Sequence, residues 1–134
     1  MRAAAIVAIA ILAACDAVAP REPAGPAVWF LAPDAQIGPE TTAFPALVME
    51  VNCASGQTSE GRIVGPEISY DADQVVVTFA VRPPPGDAHA CPSNPATLVK
   101  VTLNEPLGER RLIDGGADPP REPPLCTEAE FCGP

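Results

Sequence analysis

Proline dictates what this chain can fold into: eighteen prolines and ten glycines are spread through 134 residues. A proline lacks the amide donor and clashes inside a helix, so long helices have no room. Between the breaks lie short apolar runs rich in Val, Ile, Leu and Thr, which suit a pleated, half-buried surface. The expected class is mainly β, a small antiparallel β-sandwich, immunoglobulin-like in its strand count and stapled by disulfides.

The runs can be placed individually. Residues 27–31, Ala-Val-Trp-Phe-Leu, sit between Pro26 and Pro33 and hold the only tryptophan, Trp29, whose default role is a buried anchor. Beyond Pro45, Leu47, Met49 and Val51 alternate with Val48, Glu50 and Asn52, which reads as a half-buried strand ending near Cys53. Residues 54–61 form a polar loop. Residues 62–70 read as a strand broken by Gly65-Pro66, and Asp71-Ala72-Asp73 turns it into a return strand over 74–82. There Val75, Val77, Phe79 and Val81 share one face while Val76 and Ala80 keep the other apolar, the pattern of a central strand. Pro83-Pro84-Pro85-Gly86 cannot continue a ladder and opens a loop. A further strand places Thr97, Val99, Val101 and Leu103 on one face, and Pro106-Leu107-Gly108 turns into a last one over 110–114. The Pro-rich residues 117–134, with Cys126 and Cys132, read as a solvated tail.

The N-terminus has a different character. Met1-Arg2 supplies one positive charge, and residues 3–14 are wholly apolar but too short for the ~20 residues a membrane-spanning helix requires. This is the layout of a signal peptide. It ends in Leu12-Ala13-Ala14-Cys15, which resembles the lipobox of bacterial lipoproteins. The resemblance implies cleavage after Ala14 and attachment of diacylglycerol and a fatty acyl group such as palmitate to Cys15. Residues 1–14 would then be the signal peptide, 15–26 a Pro-rich tether, 27–116 the β domain and 117–134 the tail. The competing arrangement is simple secretion with cleavage after Ala17-Val18-Ala19, which would leave Pro20 first. Two or three acyl chains hold a protein on a membrane where one binds only marginally. The expected location is therefore the cell membrane or outer membrane, facing the periplasm or the exterior.

Four cysteines remain: Cys53, Cys91, Cys126 and Cys132. In an exported chain an even number reads as two disulfides, with three possible connectivities. The favoured one joins Cys53 to Cys91 across the core strands and Cys126 to Cys132 in a local ring. Zinc is a poor alternative, because no pair is spaced Cys-x-x-Cys and His89 is the sole histidine. No metal or cofactor is expected.

A second likeness covers residues 51–116. Cys91-Pro92-Ser93-Asn94-Pro95-Ala96-Thr97, then Glu105-Pro106-Leu107-Gly108-Glu109-Arg110 and Asp114-Gly115, resemble a pattern in small uncharacterised bacterial lipoproteins and secreted proteins. It implies one domain and a Cys53–Cys91 bridge, and it carries no activity.

The formal charge of −9, or −10 once Arg2 is removed, disfavours phosphate backbones and makes nucleic acid an unsuitable partner. For catalysis near neutrality only His89 has a suitable side chain, and no Gly-x-Ser-x-Gly elbow accompanies it. Ser55 and Ser93 could meet it only through the fold. Asp71 with Asp73 and Glu105 with Glu109 are paired carboxylates, but six aromatic residues are few for a sugar groove. The rigid loop of Pro92, Ser93 and Asn94 beside Cys91 is the candidate binding surface. The expectation is a non-catalytic β domain that binds a protein or envelope component. Its rivals are a small hydrolase using His89 and a purely structural spacer.

Overall fold

The computed structural model describes residues 22–127, and within them the chain is mainly β, antiparallel in all but one ladder, and stapled by a disulfide. Six strands form: β1 (Gly25–Leu31), β2 (Ala43–Glu50), β3 (Ile63–Tyr70), β4 (Gln74–Val81), β5 (Thr97–Thr102) and β6 (Arg111–Asp114). All belong to one sheet of order β3-β4-β1-β2-β5, with β6 alongside β4. The expected sandwich is thus realised as a single curled sheet that wraps its own core.

The curl follows from the topology. With five antiparallel strands in sequence, the two edge strands β3 and β5 must run the same way. Side chains tie them at both ends: Thr97 Oγ1 accepts the Ser59 amide at 3.0 Å, and the Tyr70 hydroxyl accepts the Asn104 amide at 2.9 Å. Side chains thereby close a seam with no backbone ladder of its own.

The interior is built from the alternating positions. Ala27 and Trp29 of β1, Phe44, Ala46 and Val48 of β2, Val75, Val77, Phe79 and Val81 of β4 and Val101 of β5 are all at most 2% exposed. Trp29 stacks on Phe44 at 5.7 Å and meets Phe79 edge-on at 6.4 Å. Its indole Nε1 donates to the Val77 carbonyl at 2.9 Å, so the polar tip is satisfied where no water reaches. Trp29 is the anchor its isolation suggested.

Other expectations need correction. The 47, 49, 51 face of β2 is not the main core face: Phe44, Ala46, Val48 and Glu50 point inward, and Val51 is 55% exposed. Leu47 is nonetheless buried, in a second cluster with Ala32, Ala96, Cys126 and Phe30 on the sheet's outer side, so β2 is covered on both faces rather than half-buried. Gly65-Pro66 does not break β3 but shifts its register between Val64 and Glu67, with Gly65 at φ +104°, a bulge that a side chain would strain. The turn between β3 and β4 forms as expected, with the Asp71 amide bonded to the Gln74 carbonyl.

The region after residue 110 departs most from expectation. β6 pairs parallel to β4 over Gln74 to Val77, where β1 has already left it, since β1 meets β4 only from Val81 to Phe79. β6 therefore wedges into the split between β1 and β4. Gly116 then passes so close to the Ala27 carbonyl that a Cβ would collide with it. The segment expected to be a solvated tail follows the vacated edge of β1. The Leu31 amide donates to the Pro124 carbonyl, and the Cys126 amide to the Leu31 carbonyl, both at 2.9 Å. Asp114 bridges Arg121, and Ala117, Pro123 and Cys126 are buried. Likewise Gly25 and Pro26, read as the end of a tether, are the first residues of β1 and pair with Val81 and Ala80.

Candidate functional site

The end of the sheet where β1 begins is held by covalent and polar ties. Cys53 and Cys91 form a disulfide with Cα atoms 4.5 Å apart, joining the exit of β2 to the loop before β5. Next to it the Ser55 amide donates to the Ala90 carbonyl at 2.9 Å, and Ser55 Oγ accepts the Ala90 amide at 3.0 Å. Of the candidate loop, Pro92 and Ser93 are exposed. Asn94 is buried, and its Nδ2 donates to the carbonyls of Glu50 and Asn52 at 3.0 and 2.8 Å. That side chain pins the loop onto β2, so only Pro92 and Ser93 face outward for a partner. They border a shallow depression of about 390 Å³ with Val28, Met49 and Val51.

Two buried carboxylates govern the polar interior. Glu50, read from sequence as the outward position of a strand, is 4% exposed, and its Oε2 receives Arg62 Nη2 at 2.7 Å. Arg62 also donates to the carbonyls of Arg82 and Thr58, so one guanidinium ties β2, β4 and the loop before β3 together. Asp114 is 1% exposed in the split between β1 and β4. Its Oδ2 accepts the Trp29 amide at 3.1 Å and its Oδ1 the Gly116 amide at 2.9 Å. Burial raises its pKa above the ordinary carboxylate value, against the opposing pull of the backbone amides of Trp29, Gly116 and Ala117 and of the nearby Arg121. Asp114 supplies the ladder bond that β4 no longer gives to β1.

The groups considered for catalysis do not come together. Ser55 Oγ is occupied by a backbone amide, and the structure records no hydrogen bond between His89 and either serine. His89 Nε2 is buried without a partner among the described residues. Asp71 accepts Gln74 Nε2 at 3.4 Å, Asp73 pairs with Arg111 at 3.5 Å and Glu105 pairs with Arg110, whose guanidinium lies 5.5 Å from the centroid of the Tyr70 ring. Asp71, Asp73 and Glu105 each have a local structural partner. Among the described residues no cluster of three or more His, Cys, Asp or Glu could hold a metal, and no helix is long and apolar enough to cross a membrane. Cys126 is disulfide-bonded and buried. Cys15 and Cys132, with the signal peptide and most of the tether, lie outside the described residues.

A second concavity lies elsewhere. On the outer face of the β1-β2-β5 region a half-open groove of about 530 Å³ is walled by Ala32, Pro33, Leu47, Pro95, Ala96 and Leu98. Thr58, Glu60, Asp34 and Thr97 complete it. Sequence reasoning missed it because four separate segments build it. The one available signal was Leu98, an apolar residue on the outward face of β5 beside Lys100 and Thr102, and it is 65% exposed. No family model, curated protein or solved structure matches the chain.

Proposed function

We propose that the chain is a lipid-anchored lipoprotein of the bacterial cell envelope, whose β domain binds a protein or envelope component without catalysing a reaction. The observation that carries the binding half is the half-open groove that Leu98 lines. A strand position that faces water is ordinarily polar, and contiguous exposed apolar surface in a concavity marks an interaction site. The anchoring half rests on Leu12-Ala13-Ala14-Cys15 and on cysteine arithmetic. Cys53 is bonded to Cys91 and Cys126 is oxidised, and pairing Cys126 with Cys132 leaves Cys15 as the one cysteine for a lipid.

Anchoring would also orient the domain. Ten residue steps separate Cys15 from Gly25, a reach of at most ~35 Å. The end of the sheet with Gly25, Asn52 and the Cys53–Cys91 bridge would then face the membrane. The groove wall of Ala32, Pro33 and Asp34 follows the far end of β1, roughly 20 Å along the strand, and is open to the compartment.

The test is cell fractionation of wild type and Cys15→Ser. The proposal expects wild type in the membrane fraction, released by detergent and not by high salt. Cys15→Ser should be lost from that fraction while keeping its Trp29 fluorescence. Equal membrane retention of both would overturn it.

A further inference from the structure

The geometry points to a specific occupant for the groove: a segment of a protein partner that presents an aliphatic or aromatic side chain between basic residues. This deepens the binding reading above and rests on it. Among the described residues Leu98 is the most exposed of the large hydrophobic side chains, at 65%, and lies opposite Leu47, which is 4% exposed. A side chain laid over Leu98 would therefore continue an apolar surface that already runs into the sheet. Pro33 and Pro95, in the walls, carry no amide hydrogen, so the groove offers few donors to a sugar or a phosphate.

Charge selects among apolar ligands. The groove includes two carboxylates, Asp34 and Glu60, and among the described residues neither has a hydrogen bond or an ion pair. The nearby Arg62 is spent on Glu50, and Lys100 shares the outward face of Leu98 but lies outside the groove lining. The chain as a whole carries a formal charge of −9. A basic residue on either side of the inserted apolar group would meet unpaired carboxylates, whereas an acidic flank, an anionic headgroup or a nucleic acid would meet repulsion.

The experiment uses the mature chain solubilised in detergent, isotopically labelled, and titrated with two capped peptides, Lys-Val-Lys-Leu-Lys and Glu-Val-Glu-Leu-Glu, at low salt. Amide shifts should be confined to the neighbourhood of Asp34, Glu60, Thr97 and Leu98. The Lys peptide should bind about tenfold more tightly, with the advantage shrinking as salt shortens the Debye length to about 8 Å and below. Leu98→Asp should abolish binding while its urea midpoint stays at the wild-type value, because the side chain is exposed. Asp34→Lys with Glu60→Lys should reverse the preference. Equal affinity for both peptides would show a groove that reads apolar surface alone. No binding of either, shifts elsewhere, or self-association that Leu98→Asp disrupts would each overturn the inference as well. Failure of the lipoprotein reading appears separately, as loss of membrane retention in wild type, and peptide binding does not influence that result.

Discussion

Replacing Arg62 with methionine strips the buried carboxylate of Glu50 of its counter-charge. Arg62 Nη2 sits 2.7 Å from Glu50 Oε2, and the two side chains are 15% and 2% exposed. Taking away the cation leaves a carboxylate in the interior without a counter-charge, which typically costs about 3–5 kcal/mol. The lost bonds to the Arg82 and Thr58 carbonyls add about 1 kcal/mol each at most, since those oxygens lie near the surface. Against a total of about 5–15 kcal/mol for a domain of this size, Arg62→Met should leave it marginal or unfolded. The readout is equilibrium urea denaturation followed by the fluorescence of Trp29, the only tryptophan, wholly buried against Phe44 and Phe79. The double variant Glu50→Leu with Arg62→Met removes both charges, and it should recover most of the loss, because a well-packed apolar pair commonly matches or exceeds a buried ion pair. A penalty below about 1 kcal/mol for Arg62→Met, or a double variant no better than the single, would refute the reasoning. The pair would then behave like a solvent-screened surface bridge.

Three further perturbations test other parts of the structure. Replacing Cys53 and Cys91 together with serine releases a closure spanning 38 positions and should lower stability by about 4 kcal/mol in the same urea assay, with unfolding faster rather than refolding slower if the loop closes late. Gly116→Ala should destabilise by at least 1 kcal/mol, because the added methyl meets the Ala27 carbonyl, whereas Gly38→Ala, with open space around it, should be nearly neutral; thermal melts distinguish them. Asp114 has a raised pKa in the fold, so between its unfolded value near 3.8 and its folded value the native state binds more protons than the unfolded state. Its contribution is accordingly fully present at the acid end and declines as pH rises through the folded value. Urea midpoints measured upward from pH 4 should contain that decline in wild type and lack it in Asp114→Asn, which should itself cost about 1–3 kcal/mol by turning an acceptor into a donor opposite a backbone amide.

Local pattern made part of this fold legible. Alternation placed Val75, Val77, Phe79 and Val81 on one face, and Asp71-Ala72-Asp73 marked the hairpin, because side-chain direction and turn chemistry are set within a few residues. The Cys53–Cys91 pairing followed from its position about the core strands. What stayed hidden depends on edges that local pattern does not describe. β6 pairs in parallel because β1 diverges from β4 beyond the Ala27–Phe79 pair, and residues 121–126 dock because that divergence leaves Leu31 with unpaired backbone groups. Composition alone made Pro119-Pro120 and Pro123-Pro124 look like a solvated tail, yet a proline carbonyl can still accept, as Pro124 does from Leu31. Glu50 could have been read more closely. It alternates in phase with Val48, so burial of Val48 forces burial of the acid and demands a cation nearby. Asn94, singled out for the surface, instead spends its amide on β2, while Leu98 fell in the correct strand and on its outward face without being recognised as part of a groove.

The proposed anchor at Cys15 requires the other four cysteines to be paired, and mass spectrometry of protein purified from membranes and alkylated without reduction reads both at once. The expected result is an N-terminal peptide that begins at Cys15 and carries diacylglycerol, with no alkylation at Cys53, Cys91, Cys126 or Cys132. An unmodified chain beginning at Pro20, or a free thiol at any of those four positions, would contradict it.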